Sequence, residues 1–262
     1  METIVNGVRL FYEDRGQGPA VLFVHGFPLN SAMWQPQIEY LSSVQSAYRV
    51  IVPDLRGFGA SDVPEGPYLM ETFADDLASL LDTLGLDQVV LGGLSMGGYI
   101  AFAFMRRYAE RVRALILCDT RPTVDSHEAQ ASRETNAQLA EREGVGLLLD
   151  KMLPALLAPQ VSGEVQSQVR TIALRNDPKG IAGALRGMAQ RADATDLLPQ
   201  IRVPTLIIVG AQDSLTPPDV AHAMQSSIPN SRVVEIPSAG HVPPLENPAA
   251  FNKALAAFLG EI

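Results

Sequence analysis

Short apolar runs recur along the chain: Ala20 to Val24, Val50 to Val52, Val89 to Leu91, Ala114 to Leu117, Thr205 to Val209 and Arg232 to Ile236. A strand with one wet face alternates apolar and polar residues, because successive side chains point to opposite sides. Runs without that alternation need apolar surroundings on both faces, which is the condition of a strand inside a parallel sheet. Between most of the runs lie stretches of helical period, such as Thr72 to Leu84 and Ile100 to Tyr108, able to cover such a sheet. The combination predicts an α/β fold, a mostly parallel central sheet with helices on both sides. The chain opens differently. Thr3 to Val5 and Val8 to Tyr12 flank Asn6-Gly7, the dipeptide best suited to a two-residue turn with positive φ, so an antiparallel hairpin is expected first.

One interval breaks the rhythm. From Asp119 to Pro204 no strand-like run occurs; instead there are helix-like pieces at Ser126 to Glu143, Gly146 to Leu157, Glu164 to Asn176 and Pro178 to Arg191. Ser162 stands where a helix start needs a capping side chain, as does Asp177, which is followed by proline at the first helical position. The division expected is an α/β core of residues 1–121 and 196–262, interrupted by a helical cap of residues 122–195. With 262 residues, 47% of them hydrophobic, the chain can bury one large core. A net charge of −9, scattered along the sequence, argues against nucleic acid or an anionic membrane as partner. No apolar run approaches the roughly 18 residues of a membrane span, and the N-terminus lacks the pattern of a secretory signal, so the cytoplasm is the expected location. The one cysteine, Cys118, lies inside an apolar run and reads as a buried structural thiol.

Gly93-Leu94-Ser95-Met96-Gly97 follows a strand run and precedes a helical stretch. Small residues there permit a tight strand-to-helix turn, and the same turn can hold the Ser95 hydroxyl exposed for chemistry, with the Met96 amide at the helix N-terminus. A serine hydroxyl is a weak nucleophile at neutral pH and needs a base, which in turn needs an orienting group. His241 sits in a loop after the last strand run and Asp213 just past the run ending at Val209. Asp119 also stands just past a strand and is the rival acid; Asp213 is preferred. His25 reads as structural, while His127 and His222 fall in helical stretches as solvated side chains.

His25-Gly26-Phe27-Pro28, Asp54-Leu55-Arg56-Gly57-Phe58-Gly59-Ala60-Ser61, Gly93 to Gly98 and Gly240-His241, in that order, resemble the motifs of α/β-hydrolase-fold enzymes over essentially the whole chain. The resemblance implies a second oxyanion amide at Phe27 beside that of Met96, the order Ser95, Asp213, His241 for nucleophile, acid and base, and no metal or organic cofactor. Gly92 to Tyr108 with Asp119-Thr120-Arg121 is similar to 3-oxoadipate enol-lactonases. His25 to Trp34 is similar to cofactor-free haloperoxidases and aryl esterases, in which a proline matching Pro28 goes with perhydrolysis. Carbon–carbon bond hydrolases of the fold carry asparagine where this chain has Leu94. The function expected is a serine hydrolase of carboxylic esters or lactones working through an acyl-enzyme. A perhydrolase of the haloperoxidase type, or a non-catalytic receptor for a small molecule, is the alternative. Met152, Leu153, Leu156, Leu157, Leu185 and Met188 from the cap, with Val242 next to the base, are candidate pocket residues. Arg121 is placed to meet a substrate carboxylate, and Arg56 to tie loops together.

Overall fold

In the computed structural model, which describes residues 1–43 and 48–262, Asn6 and Gly7 take φ values of 48° and 76°. They turn β1 (Glu2–Val5) back onto β2 (Val8–Arg15) in an antiparallel pair, the hairpin that the dipeptide foretells. There follow β3 (Ala20–Val24), α1 (Gln35–Leu41), β4 (Arg49–Pro53), α2 (Met70–Thr83), β5 (Val89–Leu94), α3 (Met96–Tyr108) and β6 (Val112–Cys118). Then come four helices, α4 (His127–Glu143), α5 (Val145–Leu156), α6 (Gly163–Ala173) and α7 (Pro178–Ala189). The chain closes with β7 (Thr205–Gly210), α8 (Pro218–Ser227), β8 (Ser231–Ile236), α9 (Pro243–Glu246) and α10 (Pro248–Leu259). The strands form one sheet in the order β1-β2-β4-β3-β5-β6-β7-β8. It is parallel from β4 to β8, and β2 joins it antiparallel to β4.

The lack of alternation in the strand runs has a direct cause. Val21, Phe23, Val90, Ile116 and Ile208 pack into an apolar cluster on one side of the sheet, while Leu22, Val24, Leu91, Leu115 and Ile207 pack into the cluster on the other. The last run differs. β8 is the edge strand, half-buried along most of its length with Glu235 exposed, because no further strand covers its outer side.

Three of the four helices between β6 and β7, α4, α6 and α7, begin where side chains cap them. Ser126 Oγ accepts the Ala129 N–H at 3.2 Å, Ser162 Oγ that of Val165 at 3.3 Å, and Asp177 Oδ1 that of Lys179 at 2.8 Å. Each satisfies a backbone donor that a helix start leaves without an internal partner. α6 ends at Ala173, short of the Asn176 expected, because Asn176 turns inward and spends its side chain on the core (below). Among the described residues, no helix is long and apolar enough to cross a membrane.

A parallel sheet delivers the C-terminal ends of its strands to one edge, and open α/β folds place their sites there. Phe27 follows β3, Ser95 follows β5, Asp119 follows β6, Asp213 follows β7 and His241 follows β8.

Candidate active site

Ser95, between β5 and α3, takes φ 54° and ψ −110°, a conformation that L-residues avoid and that the surroundings must hold. The close packing explains the glycines. A Cβ on Gly93 would stand 2.2 Å from the Gly97 carbonyl oxygen, one on Gly97 2.4 Å from that of Val24, and one on Gly98 2.3 Å from Thr120 Oγ1. The kink is also pinned to β6: the Ser95 N–H donates to the Cys118 carbonyl, and Thr120 Oγ1 donates to that of Ser95, both at 2.9 Å. Met96 opens α3, in the turn where backbone N–H groups have no intrahelical acceptor.

His241 is held by its backbone. Its N–H donates to the Leu156 carbonyl at the end of α5 at 2.9 Å. The Glu246 carboxylate accepts the N–H groups of Gly240 (3.0 Å), Val242 (2.9 Å) and Ala158 (2.7 Å). Its ring then bridges two partners, with Nε2 2.8 Å from Ser95 Oγ and Nδ1 2.7 Å from Asp213 Oδ2. An ionised Asp213 only accepts, so the network assigns the ring proton to Nδ1 and leaves Nε2 to accept from the serine hydroxyl. Burial pushes Asp213 up, but the His241 ring, the Thr216 hydroxyl and the Leu215 N–H outweigh it and hold the carboxyl below the usual range. Asp213 Oδ1 accepts the Leu215 and Thr216 N–H groups at 2.8 and 3.2 Å, and Oδ2 the Thr216 hydroxyl at 2.6 Å. Of the two carboxyl groups weighed in the sequence, it is Asp213 that touches the imidazole.

The loop after β3 lies against the serine. A Cβ on Gly26 would meet Leu94 Cδ2 at 2.5 Å and Ser95 Cβ at 3.5 Å. Phe27 follows, joined to Pro28 by a cis peptide bond. Behind them is a residue that the sequence did not single out: buried Asn176 donates from Nδ2 to the Pro28 carbonyl at 2.8 Å. Its Oδ1 accepts the Gly59 N–H at 2.7 Å and Asn30 Nδ2 at 3.4 Å. The inserted helices are thereby tied to the loop that carries the Phe27 amide.

Over Ser95 and His241 lies a cavity of about 180 Å³, walled by Phe27, Tyr99, Arg121, Arg133, Met152, Leu156, Met188, Leu215 and Thr216. Arg121, Met152, Leu156 and Met188 were candidates. Five others stand outside this wall: Leu153, Leu157 and Val242 pack against the apolar cluster on one side of the sheet, Leu185 is in the other cluster, and Pro28 turns its carbonyl to Asn176. Tyr99 was not singled out in the sequence, although its place one helical turn beyond Ser95 is a signal that finds it. Arg133, in the middle of α4, gave no such signal. It pairs with buried Asp125, as do Arg191 at 2.8 Å and Arg121 at 3.6 Å. Burial pushes Asp125 up, yet the hydrogen bonds from Arg191 and Arg133 bring it down to about 2. Three guanidinium groups around one carboxylate leave this wall positive.

Arg56 lies elsewhere, with Nε and Nη2 each 2.6 Å from a different oxygen of Asp76 on α2. His25 is buried; its Nε2 accepts the Leu55 N–H at 3.1 Å and burial lowers its pKa to about 4, so it is neutral. Among the described residues, one group has metal-ligand proximity: Asp119, Asp213 and His241, within 4.8 Å of one another. Both His241 nitrogens are already engaged by Asp213 and Ser95, which leaves no ring donor for an ion.

Known proteins share this arrangement of elements. A solved esterase from Thermogutta terrifontis, described with malate bound, is 47% identical with a TM-score of 0.95, and the match spans 99% of this chain and 96% of that one. The 3-oxoadipate enol-lactonase 2 of Acinetobacter baylyi is 31% identical over 96% of this chain and 93% of its own length. A putative non-heme chloroperoxidase of Synechocystis is 33% identical over 89% of this chain and 88% of its own. The family profile described as alpha/beta hydrolase fold matches residues 19–248, and the chain belongs to that family.

Proposed function

We propose that the protein is a serine hydrolase of carboxylic esters or lactones that works through an acyl-enzyme. The observation that carries this reading is the relay from Ser95 Oγ to His241 Nε2 at 2.8 Å and from His241 Nδ1 to Asp213 Oδ2 at 2.7 Å. His241 takes the hydroxyl proton as Oγ attacks the carbonyl carbon, and Asp213 steadies the imidazolium that forms. The developing oxyanion is held by the N–H groups of Phe27 and Met96. The alcohol leaves with the proton from Nε2, and water, deprotonated by the same nitrogen, frees the acid.

The helices of residues 122–195 act as a cap and set the substrate. A cavity of about 150 Å³ suffices for a benzene-sized ring, so the space of about 180 Å³ over Ser95 takes a short acyl chain or a small lactone. Arg121 and Arg133 in its wall, with one carboxylate shared among three arginines, favour a substrate that bears its own carboxylate.

Hydrolysis of p-nitrophenyl butyrate, a small lactone and methyl half-esters of short diacids, with and without hydrogen peroxide, tests the reading. Wild type turns over esters or lactones, and Ser95→Ala loses on the order of 10⁴-fold or more in kcat. Arg121→Gln weakens KM for a half-ester by roughly tenfold, the worth of a charge-assisted hydrogen bond, and leaves the diester unaffected. Faster peroxide-dependent perhydrolysis than hydrolysis would favour the haloperoxidase-type activity. A wild type that binds such compounds tightly and hydrolyses none of them would be a receptor, and the hydrolase reading would fail.

A further inference from the structure

The mechanism leaves unused a buried acid that lies beside the relay. Asp119 follows β6 and Asp213 follows β7, and these neighbouring parallel strands bring both side chains to one place. A carboxylate oxygen of each and a His241 ring nitrogen lie within 4.8 Å of one another. The two acids are served very differently. Asp213 accepts from two backbone N–H groups, the Thr216 hydroxyl and the His241 ring. Asp119 is only 2% exposed; its Oδ1 accepts the Gly210 N–H at 2.8 Å, while Oδ2 is sealed from solvent with no hydrogen-bond partner. An ionised carboxylate cannot be left so in the interior. A protonated one can, because its O–H needs an acceptor and Asp213 is the acceptor at hand. Two buried carboxylates this close do not both ionise, and the better-donated one keeps the charge.

We propose that Asp119 is a neutral carboxylic acid that shares its proton with Asp213, and that it stands as the second acid of the Ser95 relay, able to carry the negative charge when Asp213 has none. The charged groups around it favour this state. Asp213 and Glu246 both oppose a charge on Asp119, His241 is already taken by Asp213, and the adjoining Cys118 is a buried thiol pushed up by its own burial. Burial first, then Asp213, push the Asp119 carboxyl well above its usual range against the pull of the Gly210 N–H.

The functional half of this inference rests on the hydrolase reading, so its test has one arm that needs no turnover. In the infrared spectrum at neutral pH, wild type shows the C=O band of a protonated carboxylic acid, and Asp119→Asn removes it. This variant keeps an acceptor for Gly210 and a donor for Asp213, which protects the fold. Absence of the band in wild type, or its persistence in Asp119→Asn, overturns the proposal.

The second arm is the rate at which a fluorophosphonate labels Ser95, read by intact mass: the Oγ–P bond forms, fluoride leaves and His241 takes the proton. Asp213→Asn slows labelling by clearly less than the roughly 10⁴-fold expected when a lone triad carboxylate is removed. Adding Asp119→Asn to it slows labelling at least tenfold further, whereas Asp119→Asn alone costs less than tenfold. The residual rate of Asp213→Asn also falls with acid along a limb that the double variant lacks. A double variant no slower than Asp213→Asn overturns the second-acid role. If wild type is neither labelled nor active on esters, the hydrolase reading and the relay role fall together, and the infrared band still decides the proton on Asp119.

Discussion

Asn176→Ala isolates the tie between the inserted helices and the loop proposed to hold the oxyanion. The alanine leaves the half-buried Gly59 N–H and the buried Pro28 carbonyl, bonded to Asn176 at 2.7 and 2.8 Å, without their partner. Asn30 loses its 3.4 Å contact but keeps the Ile172 carbonyl at 3.2 Å, so its loss is small. Each orphaned group costs about 1–3 kcal/mol. The sum is about 4 kcal/mol, a fall in Tm of roughly 10 °C for a chain of this size. The kinetic effect is separate. With its carbonyl released, Pro28 no longer fixes the Phe27 amide, and complete loss of one oxyanion donor costs about 2.7–4 kcal/mol. A displaced donor gives part of that, so kcat for p-nitrophenyl butyrate falls by roughly 10- to 100-fold while KM changes little. Asn176→Asp checks which group matters. At neutral pH it turns a buried carboxylate toward the Pro28 carbonyl and costs at least as much stability and kcat as the alanine, whereas protonation in acid restores a donor to Pro28 and recovers part of both losses. Thermal melts and steady-state kinetics on the three proteins suffice. A wild-type Tm in Asn176→Ala, or a raised KM with kcat intact, would refute the reasoning.

Three further perturbations follow from contacts already described. Gly98→Ala puts a methyl group 2.3 Å from Thr120 Oγ1 and destabilises by about 1–3 kcal/mol; urea unfolding of the pair with Thr120→Ala recovers part of the loss. His25 has its pKa lowered from 6.5 to about 4, chiefly by burial and against the pull of Asp54, so the unfolded chain binds its proton more readily. Its contribution is fully present above pH 6.5 and is lost as the pH falls toward 4; between pH 7 and 5 it amounts to about 2 kcal/mol, a dependence on urea midpoint that His25→Asn flattens. Asp125→Asn strips the shared partner from Arg133 and Arg191 and costs about 3–5 kcal/mol at neutral pH. Because the Asp125 carboxyl is held at about 2 against an ordinary 3.8, its stabilisation is present above 3.8 and lost as the pH falls toward 2; acid titration of wild type has a limb there that the variant lacks.

What could be read from the sequence was what local chemistry decides. The strand runs announce themselves because β3, β5, β6 and β7 are buried on both faces, and β8 fits less well because an edge strand is not. Asn6-Gly7, Ser162 and Asp177 mark a turn and two caps by their own side chains and φ preferences. The two carboxyl groups were harder to separate, since Asp119 and Asp213 both follow parallel strands. Their difference lies in donors from Leu215 and Thr216 and in where the β8 loop sets down His241, both matters of tertiary packing. The cavity wall was the least legible. Met152 and Leu153 are neighbours in α5, yet only the first faces the cavity, and composition does not fix the rotation of an apolar helix. Arg133 is brought to the site by the α4–α7 packing and the pull of Asp125, neither of which a charged residue in mid-helix advertises.

The grip of α5 on His241, the proposed base, has a consequence for how such a chain diversifies. The helix ends at Leu156, whose carbonyl holds the His241 backbone, and Ala158 just beyond shares the Glu246 carboxylate with the His241 loop; the same helix supplies Met152 and Leu156 to the cavity. On the proposed mechanism, selection for new substrates that reshapes α5 therefore disturbs proton transfer as well. Arg133 on α4 and Met188 on α7 make no hydrogen bond to the His241 loop, so change there is free of that penalty. New substrate preferences in descendants of this protein should accumulate first on α4 and α7, with α5 changing last.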